Sequence, residues 1–426
     1  MKLKTLTTAI ILATVPMTGA FAAALDRSGQ SIAAFLQPGN YFEAGISILD
    51  PDVSGQTKDS YPFAGSPISN TSVGEMADDY HFVNAALKFQ VNDHFSLGLI
   101  YDQPFGAKAS YSTATPVLPN VLPPAAAALA GQGAFHNGVE GTKVEVNTQN
   151  LAFILGYQPN ENFNFYAGPV YQTVKGDIRL RGTAYGGNAT FGGYNANIKE
   201  DGDIGWLAGM AYQIPEIALK ASVTYRSEIE HSVDARESFN ASGAFAALNA
   251  APAMNTDITT PQSVNLDLQT GIMENTVAFA NVRWVNWQDF GIQPYKFGLA
   301  SKSPAVQAQT GKSEFDLVAY TDDQWSANVG VGRKLNDKWA GNVSVGWDSG
   351  AGNPITTLGP TEGYWNVGLG MQYSPTPATF IAGGVKYFWL GDAQAQTGAQ
   401  FDTANYVAEF NDNHALAYGL KMGYRF

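Results

Sequence analysis

The sequence predicts an all-β protein: a 14-stranded antiparallel transmembrane β-barrel with a short N-terminal plug segment. Three observations support this prediction: segments that alternate apolar and polar residues, tight turns that alternate with long loops, and no long apolar run after the N-terminus. A membrane-spanning helix needs about 20 predominantly apolar residues, so the third observation excludes a helical membrane protein.

Composition narrows the class of protein further. Charged residues make up 14% of the 426 residues and aromatic residues 12%, whereas soluble domains carry roughly 25% charged residues. There is no cysteine, so disulfides and thiolate sites are excluded. The net charge of −13 argues against nucleic acid as a partner.

No motif for an enzyme or a metal site is found. The five histidines lack metal-ligand spacing, and no G-x-S-x-G sequence occurs. We therefore expect no enzymatic activity, no metal and no cofactor. A Ser–His pair formed across strands, with His231 and a nearby serine, stays open as an alternative.

The N-terminus carries a targeting signal. A short basic stretch, "MKLK", precedes "TLTTAIILATVPMTGAFAAA", which is apolar and ends in small residues. This pattern is typical of a secretory signal peptide, cleaved between Ala22 and Leu25; an uncleaved anchor helix is the alternative. The expected organisation is a signal peptide over 1–24, a plug over 25–39 and a barrel over 40–426.

Fourteen strands are predicted from period-two alternation, and an even number is what single-chain outer-membrane barrels have. The clearest example is "EIALKASVTYRSEIEH", in which Leu219, Val223 and other apolar residues oppose Lys220, Thr224 and Arg226. The predicted strands are 40–50, 78–91, 93–111, 142–159, 162–183, 200–214, 216–233, 258–272, 274–290, 317–335, 338–348, 361–374, 378–390 and 413–426.

Alternation alone does not distinguish a soluble sandwich from a membrane barrel, because both have one apolar face. Several segments exceed ten residues, enough to cross a bilayer at a tilt. Short turns such as 158–163 and 335–339 alternate with long loops such as 112–141 and 391–412. Aromatic residues at strand ends suit interfacial girdles; we expect this position for Tyr157, Phe163, Tyr166, Trp339, Trp347, Tyr373 and Phe380. A secreted soluble β-protein remains the alternative.

The C-terminal stretch "ALAYGLKMGYRF" ends on an aromatic residue. We expect Phe426 to lie at the seam between the last strand and the first. Such an ending resembles the signal that the outer-membrane assembly machinery reads. The expected location is the outer membrane of a Gram-negative bacterium, in contact with its lipid and lipopolysaccharide.

Several stretches resemble the FadL/TodX family of outer-membrane transporters for long-chain fatty acids and other hydrophobic compounds. They include "PFGAKASY", "TYRSEIEH", "RWVNWQDF" and "YGLKMGYRF", which occur in the family's order. The resemblance implies a fourteen-stranded barrel with an N-terminal plug. It also implies capture of a hydrophobic molecule between outer loops, passage through an apolar pocket and release through a lateral gap at a kinked third strand.

The third predicted strand contains "YDQPFGAKASY". Pro104 cannot donate to a β-ladder and Gly106 weakens one, so the strand is expected to bend or bulge here. By resemblance, Pro104, Phe105 and Gly106 mark the lateral opening. The alternative is that the strand ends at Pro104 and continues as a loop.

The loop "TATPVLPNVLPPAAAALAGQGAF" is strongly apolar, and an exposed apolar patch usually marks a binding surface. The alternative is that its apolar residues only pack the loop onto its neighbours. The residues expected to form part of the outer capture groove are Val117, Leu118, Val121, Leu122, Leu129 and Phe135.

A carboxylate ligand needs a cation. Arg179 best matches the family's pocket arginine, with Lys175 as its alternative; a guanidinium holds a carboxylate through two parallel hydrogen bonds. Pairing of Arg179 with Asp177 or Glu228 is equally open. The family's second cation is missing, because residues 319–323 read "AYTDD". This departure favours a neutral hydrophobic ligand.

The plug is shorter than is usual in the family and lacks its "NPA"-type motif: only "LDRSGQSIAAFLQPGN" precedes the first strand. "SIAAFL" suits one helical turn inside the lumen, with Ile32, Phe35 and Leu36 touching the pocket. Two functional alternatives stay open, a passive general-diffusion porin and a surface receptor or adhesin. An apolar outer loop and a lumen expected to hold few charges argue against the porin.

Overall fold

The computed structural model describes residues 25–63 and 66–426, so the signal-peptide prediction lies outside the described residues. Fourteen strands form the barrel, as the sequence predicts, and three of them are interrupted. Their bounds are β1 Tyr41–Asp52, β2 Tyr80–Gln90, β3 Phe95–Asp102 and Gly106–Ser110, β4 Lys143–Tyr157, β5 Phe163–Arg179, β6 Asn195–Ile214, β7 Leu219–Arg226 and Ile229–Ser238, β8 Asn255–Thr260 and Ser263–Met273, β9 Thr276–Val285, β10 Gln324–Lys334, β11 Trp339–Asp348, β12 Tyr364–Thr376, β13 Thr379–Leu390 and β14 His414–Arg425.

The sheet closes because β14 pairs antiparallel with β1 from Tyr41–Arg425 to Asp52–His414. The backbone N–H of Phe426 donates to the carbonyl of Asn40 at 3.3 Å, and its ring lies 5.8 Å from that of Phe89 on β2. The C-terminal residue therefore lies at the seam. Closure pairs the edge strands, which hydrocarbon requires of a spanning sheet.

Connections at the two ends of the barrel differ in length. At one end, the short-turn end, they comprise two to five residues; at the other, the loop end, they comprise 15 to 38 residues. Both termini of the sheet, Tyr41 and Arg425, lie at the short-turn end. The predicted alternation of turn sizes is confirmed.

The barrel is apolar outside and polar inside. On β12, Trp365, Leu369 and Met371 are exposed, Leu369 to 59%, whereas the intervening Asn366 and Gln372 are buried. The same alternation holds on β14, where Leu420 and Met422 are exposed and Lys421 is buried. This orientation is the one a bilayer demands, the reverse of a soluble sandwich.

Most of the aromatic residues predicted for girdles lie on the outer surface, but two do not. Tyr166 and Phe380 are buried inside the barrel. The Tyr166 hydroxyl is 2.8 Å from that of Thr224, and Phe380 stacks on Tyr41 with ring centroids 6.5 Å apart. The prediction was wrong for these two because nearness to a strand end does not determine which face a residue occupies. The face is determined by the residue's place in the alternation of side chains along the strand.

The long loops fold into a layer of their own at the loop end. An aromatic cluster fills this layer: Phe191 lies 5.0 to 5.4 Å from Phe245, Phe297 and Phe315.

None of the helices in the described ranges is long and apolar enough to span a membrane. The small elements are the strands Ser54–Thr57, Ser60–Phe63, Ser66–Ile68, Ser72–Glu75, Gly291–Ile292, Val318–Ala319, Ile355–Thr356, Ala393–Gln396 and Ala408–Phe410, the α-helices α1 Tyr295–Ser301 and α2 Pro304–Thr310, and the 3-10 turns Pro124–Leu129, Thr183–Tyr185, Phe191–Gly193, Pro215–Ile217, Ala246–Ala250 and Gly398–Gln400.

Residues 25–39, which we call the N-terminal segment, lie inside the barrel. Phe35 packs edge-on against Tyr166 with ring centroids 5.7 Å apart, in space that Gly98 and Gly156 leave free. The amide N–H groups of Phe35 and Leu36 both donate to the carbonyl of Ile32, at 3.0 and 3.3 Å. The expected single helical turn therefore forms within the lumen.

Candidate functional site: a lumenal cavity beside a break in the barrel wall

The wall of the barrel is broken between β2 and β3. Backbone pairing of the two strands ends at Ala85–Tyr101 and is resumed only by an isolated bridge between Ala77 and Ala109. The break lies at Pro104, which has no N–H to donate. The strand resumes at Gly106 and pairs with β4, so it does not end at the proline.

The N-terminal segment pairs with the kinked strand in place of β2. The Gly106 N–H donates to the Leu25 carbonyl at 2.7 Å, and the Arg27 N–H donates to the Pro104 carbonyl at 2.6 Å. These bonds flank an antiparallel bridge between Asp26 and Phe105. The segment thus satisfies backbone groups that the missing neighbour leaves unpaired, which an apolar surrounding requires.

A buried ion pair holds the N-terminal segment to the far wall. Arg283 on β9 donates from Nε to Asp26 Oδ2 at 2.7 Å and from Nη2 to Asp26 Oδ1 at 3.3 Å. The guanidinium also donates to Asn265 at 2.7 Å and to Gln30 at 2.9 Å. Removing one partner of such a pair leaves a buried uncompensated charge and costs roughly 3–5 kcal/mol. The segment is therefore fixed at both the break and the opposite wall.

A cavity of about 660 Å³ lies beside the N-terminal segment. Ile32 and Leu36 of the segment line it, as do Val83 on β2 and Ile100 on β3. Its lining continues to residues at the short turns, such as Asp93. The cavity therefore extends from the wall break to the short-turn end of the barrel.

The part of the cavity nearest the short-turn end is basic. The Nζ of Lys88 donates to the Gln37 carbonyl at 2.6 Å, and that of Lys220 to the Leu36 carbonyl at 2.7 Å. Lys421 pairs with Glu43 at 3.3 Å. The lining cations are Lys88, Lys220, Lys386, Lys421 and Arg425. The expectation of a lumen with few charges was therefore wrong, because four strands contribute cations to this lining.

The three residues predicted for the lateral opening and two of those predicted for the plug lie at this site. Pro104, Phe105 and Gly106 form the kink, and Ile32 and Leu36 line the cavity. Phe35 does not line it, because its ring is turned onto Tyr166. Sequence reasoning missed Asp26, Arg27 and Arg283, whose partners are distant in the chain and carry no local motif.

The outer-loop residues do not form one surface. Leu118, Leu122 and Leu129 pack with Ala126 in a small cluster of their own. Phe135 belongs to the loop layer instead, stacked 4.4 Å from Tyr111. Val117 and Val121 are exposed, Val121 to 91%.

The two cations proposed for a carboxylate lie away from the cavity. Arg179 is half-exposed and pairs with Asp177 at 3.1 Å and Glu140 at 3.9 Å. Lys175 pairs with Glu200 at 3.8 Å. Ligand binding by either residue stays a prediction, and neither is among the residues that line the cavity.

His231 is the residue on which the catalytic alternative depends. His231 lies 3.0 Å from Gln172 Oε1 and 3.5 Å from Asp201. Within residues 25–63 and 66–426, no group of three His, Asp or Glu side chains is arranged to hold a metal ion.

Comparisons with known proteins agree with this architecture. The profile of the family "Outer membrane protein transport protein (OMPP1/FadL/TodX)" matches residues 124–426. Among solved structures, a Pseudomonas aeruginosa FadL homologue shares 16% identity over 92% of both chains, with a TM-score of 0.67. The P. putida toluene transporter TodX shares 13% identity over 92% of this chain and 91% of its own, with a TM-score of 0.55.

The Ralstonia pickettii toluene transporter TbuX shares 12% identity over 96% of this chain and 98% of its own, with a TM-score of 0.55. No curated protein matches the sequence. At these identities the structural likeness shows the fold, while the profile match, which covers well over half of the chain, shows the family. The chain belongs to the FadL/TodX family of outer-membrane transport proteins and is a β-barrel of the Gram-negative outer membrane.

Proposed function

We propose that the protein takes up small hydrophobic molecules, which its outer loops capture, its lumen receives and the break between β2 and β3 releases sideways into the bilayer. The observation that carries the proposal is that the cavity reaches residues that flank the unpaired part of the wall, Val83 and Asn84 on β2 and Tyr101 and Asp102 on β3. With the family's outer-membrane orientation, the short turns face the periplasm and the loops face outward.

A lateral route suits a hydrophobic solute. Apolar surface in water costs about 25 cal/mol per Å², so exposing roughly 200 Å² costs about 5 kcal/mol. Beside the break, the outer surface carries Ile46 and Ile48 of β1, both exposed and apolar. A molecule that passes from the cavity to this surface avoids the periplasmic water.

Electrostatics favours a neutral molecule at the entrance. The seven long connections at the loop end contain fifteen acidic and five basic residues, a net charge of −10. This field repels carboxylate anions and leaves neutral molecules unaffected. Exposed Val117 and Val121 are candidates for first contact. The related TodX and TbuX structures are those of toluene transporters.

A hydrophobic carboxylate is the second candidate substrate. Lys386 is buried beside the cavity, and an ammonium group in such a position stabilises an anion. Arg179 and Lys175 are less suited to this role, since each already pairs with carboxylates at the loop end.

Uptake of radiolabelled toluene and of radiolabelled oleate by a Gram-negative host that lacks other members of this family tests the proposal. Cells that contain the protein should take up at least one tracer faster than cells with an empty vector, and toluene is favoured. The proposal would be overturned if cells with and without the protein took up both tracers at equal rates while the barrel was correctly folded in the membrane.

Planar-bilayer recording separates the proposal from a general-diffusion porin. Because the N-terminal segment packs inside the barrel and the long loops pack together at the loop end, we expect no large stable ohmic conductance. A conductance of porin size would establish the porin instead.

A further inference from the structure

The side chain of Arg27 occupies the break in the barrel wall. Its guanidinium lies 4.1 Å from the centroid of the Tyr80 ring on β2, and its Nη1 donates to Asn147 Oδ1 on β4 at 3.5 Å. Tyr80 lies two positions from the lumen-facing Phe82, so it is on the lumen face of β2. Asn147 lies six positions from the lipid-facing Phe153, so it is on the lipid face of β4. Contact with both places the guanidinium within the thickness of the wall.

Gly106 provides the space that the guanidinium uses. A Cβ atom on Gly106 would overlap Cζ and Nη1 of Arg27 and would lie 2.6 Å from the Val146 carbonyl. The absent side chain on β3 and the long side chain from the N-terminal segment therefore fit together. Any larger residue at position 106 competes with Arg27 for the same volume.

The guanidinium is buried, and its side-chain partners are few: Tyr80, which it contacts by a hydrogen bond as well as through the ring, and Asn147. Arg27 is 4% exposed, and its Nε and Nη2 atoms have no hydrogen-bond partner among the described residues. No carboxylate of the described residues lies within ion-pair distance of it. Arg283, by contrast, satisfies its guanidinium with Asp26, Asn265 and Gln30. A buried charge with unmet donors is costly, so this contact is easier to undo than the Asp26–Arg283 pair.

We propose that Arg27 is the residue that closes the lateral opening, and that its withdrawal from between Tyr80 and Gly106 joins the cavity to the bilayer. The proposal rests on the proposed function, which it deepens by naming the closing residue. In the closed state the guanidinium stacks on Tyr80, an interaction that needs a planar cation close to the ring. Withdrawal separates the Arg27 backbone from β3, where it is hydrogen-bonded to the Pro104 carbonyl, and takes the side chain out of the gap.

A single cysteine at position 84 tests this assignment, since the chain contains no cysteine of its own. Asn84 lines the cavity at the level of the break. The Asn84→Cys protein in nanodiscs is reacted with a maleimide dissolved in the lipid and, separately, with a charged water-soluble thiosulfonate. Adding Arg27→Ala should raise the rate of the lipid reagent at least threefold and leave the water-soluble rate unchanged.

Two further variants serve as controls. Arg181→Ala removes another buried arginine, one that pairs with Glu140 at the loop end, and should change neither rate. Arg27→Lys retains the charge without the planar group and should give an intermediate rate. Heat-modified mobility in gels checks that each barrel is folded.

Equal lipid-reagent rates with and without Arg27→Ala would overturn the proposal. A parallel rise for both reagents would also overturn it, because it would indicate general loosening of the barrel. The labelling result does not depend on any substrate, so failure of tracer uptake by the natural sequence would refute the proposed function and leave the role of Arg27 to be judged separately.

Discussion

The barrel wall is interrupted in two places, and the two differ in what fills them. Between β6 and β7, backbone pairing stops between Ile198–Ala235 and Leu207–Arg226, over a stretch about as long as the break between β2 and β3. There the two strands stay in contact: Lys199 pairs with Asp234 across the gap, and Ile229 packs closely on Gly205.

The break between β2 and β3 is filled from elsewhere in the chain. Leu25 and Arg27 of the N-terminal segment supply both the backbone partners and the side chain that close it. The cavity adjoins this break, whereas its lining contains no residue from 199–205 or 228–234. An interruption in backbone pairing is therefore not sufficient for a lateral opening. The gap must also be closed by a segment that can leave it, and a cavity must adjoin it.

Cross-linking the N-terminal segment to β3 should have the largest effect on tracer uptake. Asp26 and Phe105 face each other in an antiparallel bridge, a separation that suits a disulfide. In Asp26→Cys/Phe105→Cys protein, oxidation should reduce tracer uptake to the empty-vector level, and reductant should restore it. The oxidised and reduced states both lack the Asp26–Arg283 pair, so the difference between them measures the disulfide alone. The measurement is tracer uptake by the same cells before and after reduction.

A matched lock belongs at the other interruption. Ile198 and Ala235 pair across β6 and β7, so oxidised Ile198→Cys/Ala235→Cys protein should take up tracer at the unlocked rate. The comparison between the two interruptions fails if both locks abolish uptake, or if neither does.

Adding one methyl group at each interruption should separate opening from stability. Gly106→Ala places a Cβ atom where the Arg27 guanidinium lies, so in the Asn84→Cys protein the rate of labelling from the lipid should rise several-fold. Gly205→Ala places a Cβ atom 2.6 Å from Ile229 Cγ1 and should lower the free energy of unfolding by about 1–3 kcal/mol through overpacking. Lipid-phase labelling and thermal unfolding are the measurements. An unchanged labelling rate in Gly106→Ala, or an increased one in Gly205→Ala, would contradict this prediction.

Removing one cavity lysine should affect charged ligands alone. Lys386→Met keeps the length of a buried side chain that lines the cavity and deletes its charge. We expect roughly five- to tenfold weaker binding of dodecanoate, with binding of 1-dodecanol unchanged, measured by calorimetry in detergent. Lys334→Met, at a turn where the lysine pairs with Asp337 at 3.0 Å, is the control. Equal losses for the acid and the alcohol would show that Lys386 acts through structure.

The smallest expected effect is the pH response of the loop 349–363. Burial, reinforced by nearby Asp322, raises the pKa of Glu362 to about 7. Because the folded loop holds this proton more tightly than the unfolded chain does, its stability rises as pH falls from 7 towards 4.5 and is lost above pH 7. Hydrogen exchange in the loop should be two- to threefold slower at pH 5.5 than at pH 8, after correction for the intrinsic rate.

Glu362→Gln should remove this difference. Asp337→Asn, at an exposed turn on the opposite end of the barrel, should retain it. If the difference persists in Glu362→Gln, another group controls the loop.

Much of the fold is predictable from the sequence, because period-two alternation is a local property of each strand. Pro104 and Gly106 mark the kink for the same local reason, since each weakens a β-ladder wherever it occurs. Parity also predicts that Lys220 and Lys421 face the lumen.

The site itself depends on contacts that local patterns do not encode. The Asp26–Arg283 pair joins residues 257 positions apart, and the convergence of Lys88 and Lys220 on neighbouring carbonyls depends on strand stagger. The prediction that six loop residues share a groove considered composition only, whereas folding of the loop places four of them in two separate clusters and leaves Val117 and Val121 exposed.

Trp287 provides an optical signal for the kinked strand. It is the one fully buried residue among the eight tryptophans, and its ring lies 5.4 Å from that of Phe105. The other tryptophans point outward, where lipid also surrounds them, so the emission of Trp287 is obtained as the difference between the natural sequence and Trp287→Phe. A rearrangement at the kink would change this difference, and the motion could be timed by stopped-flow without any attached dye.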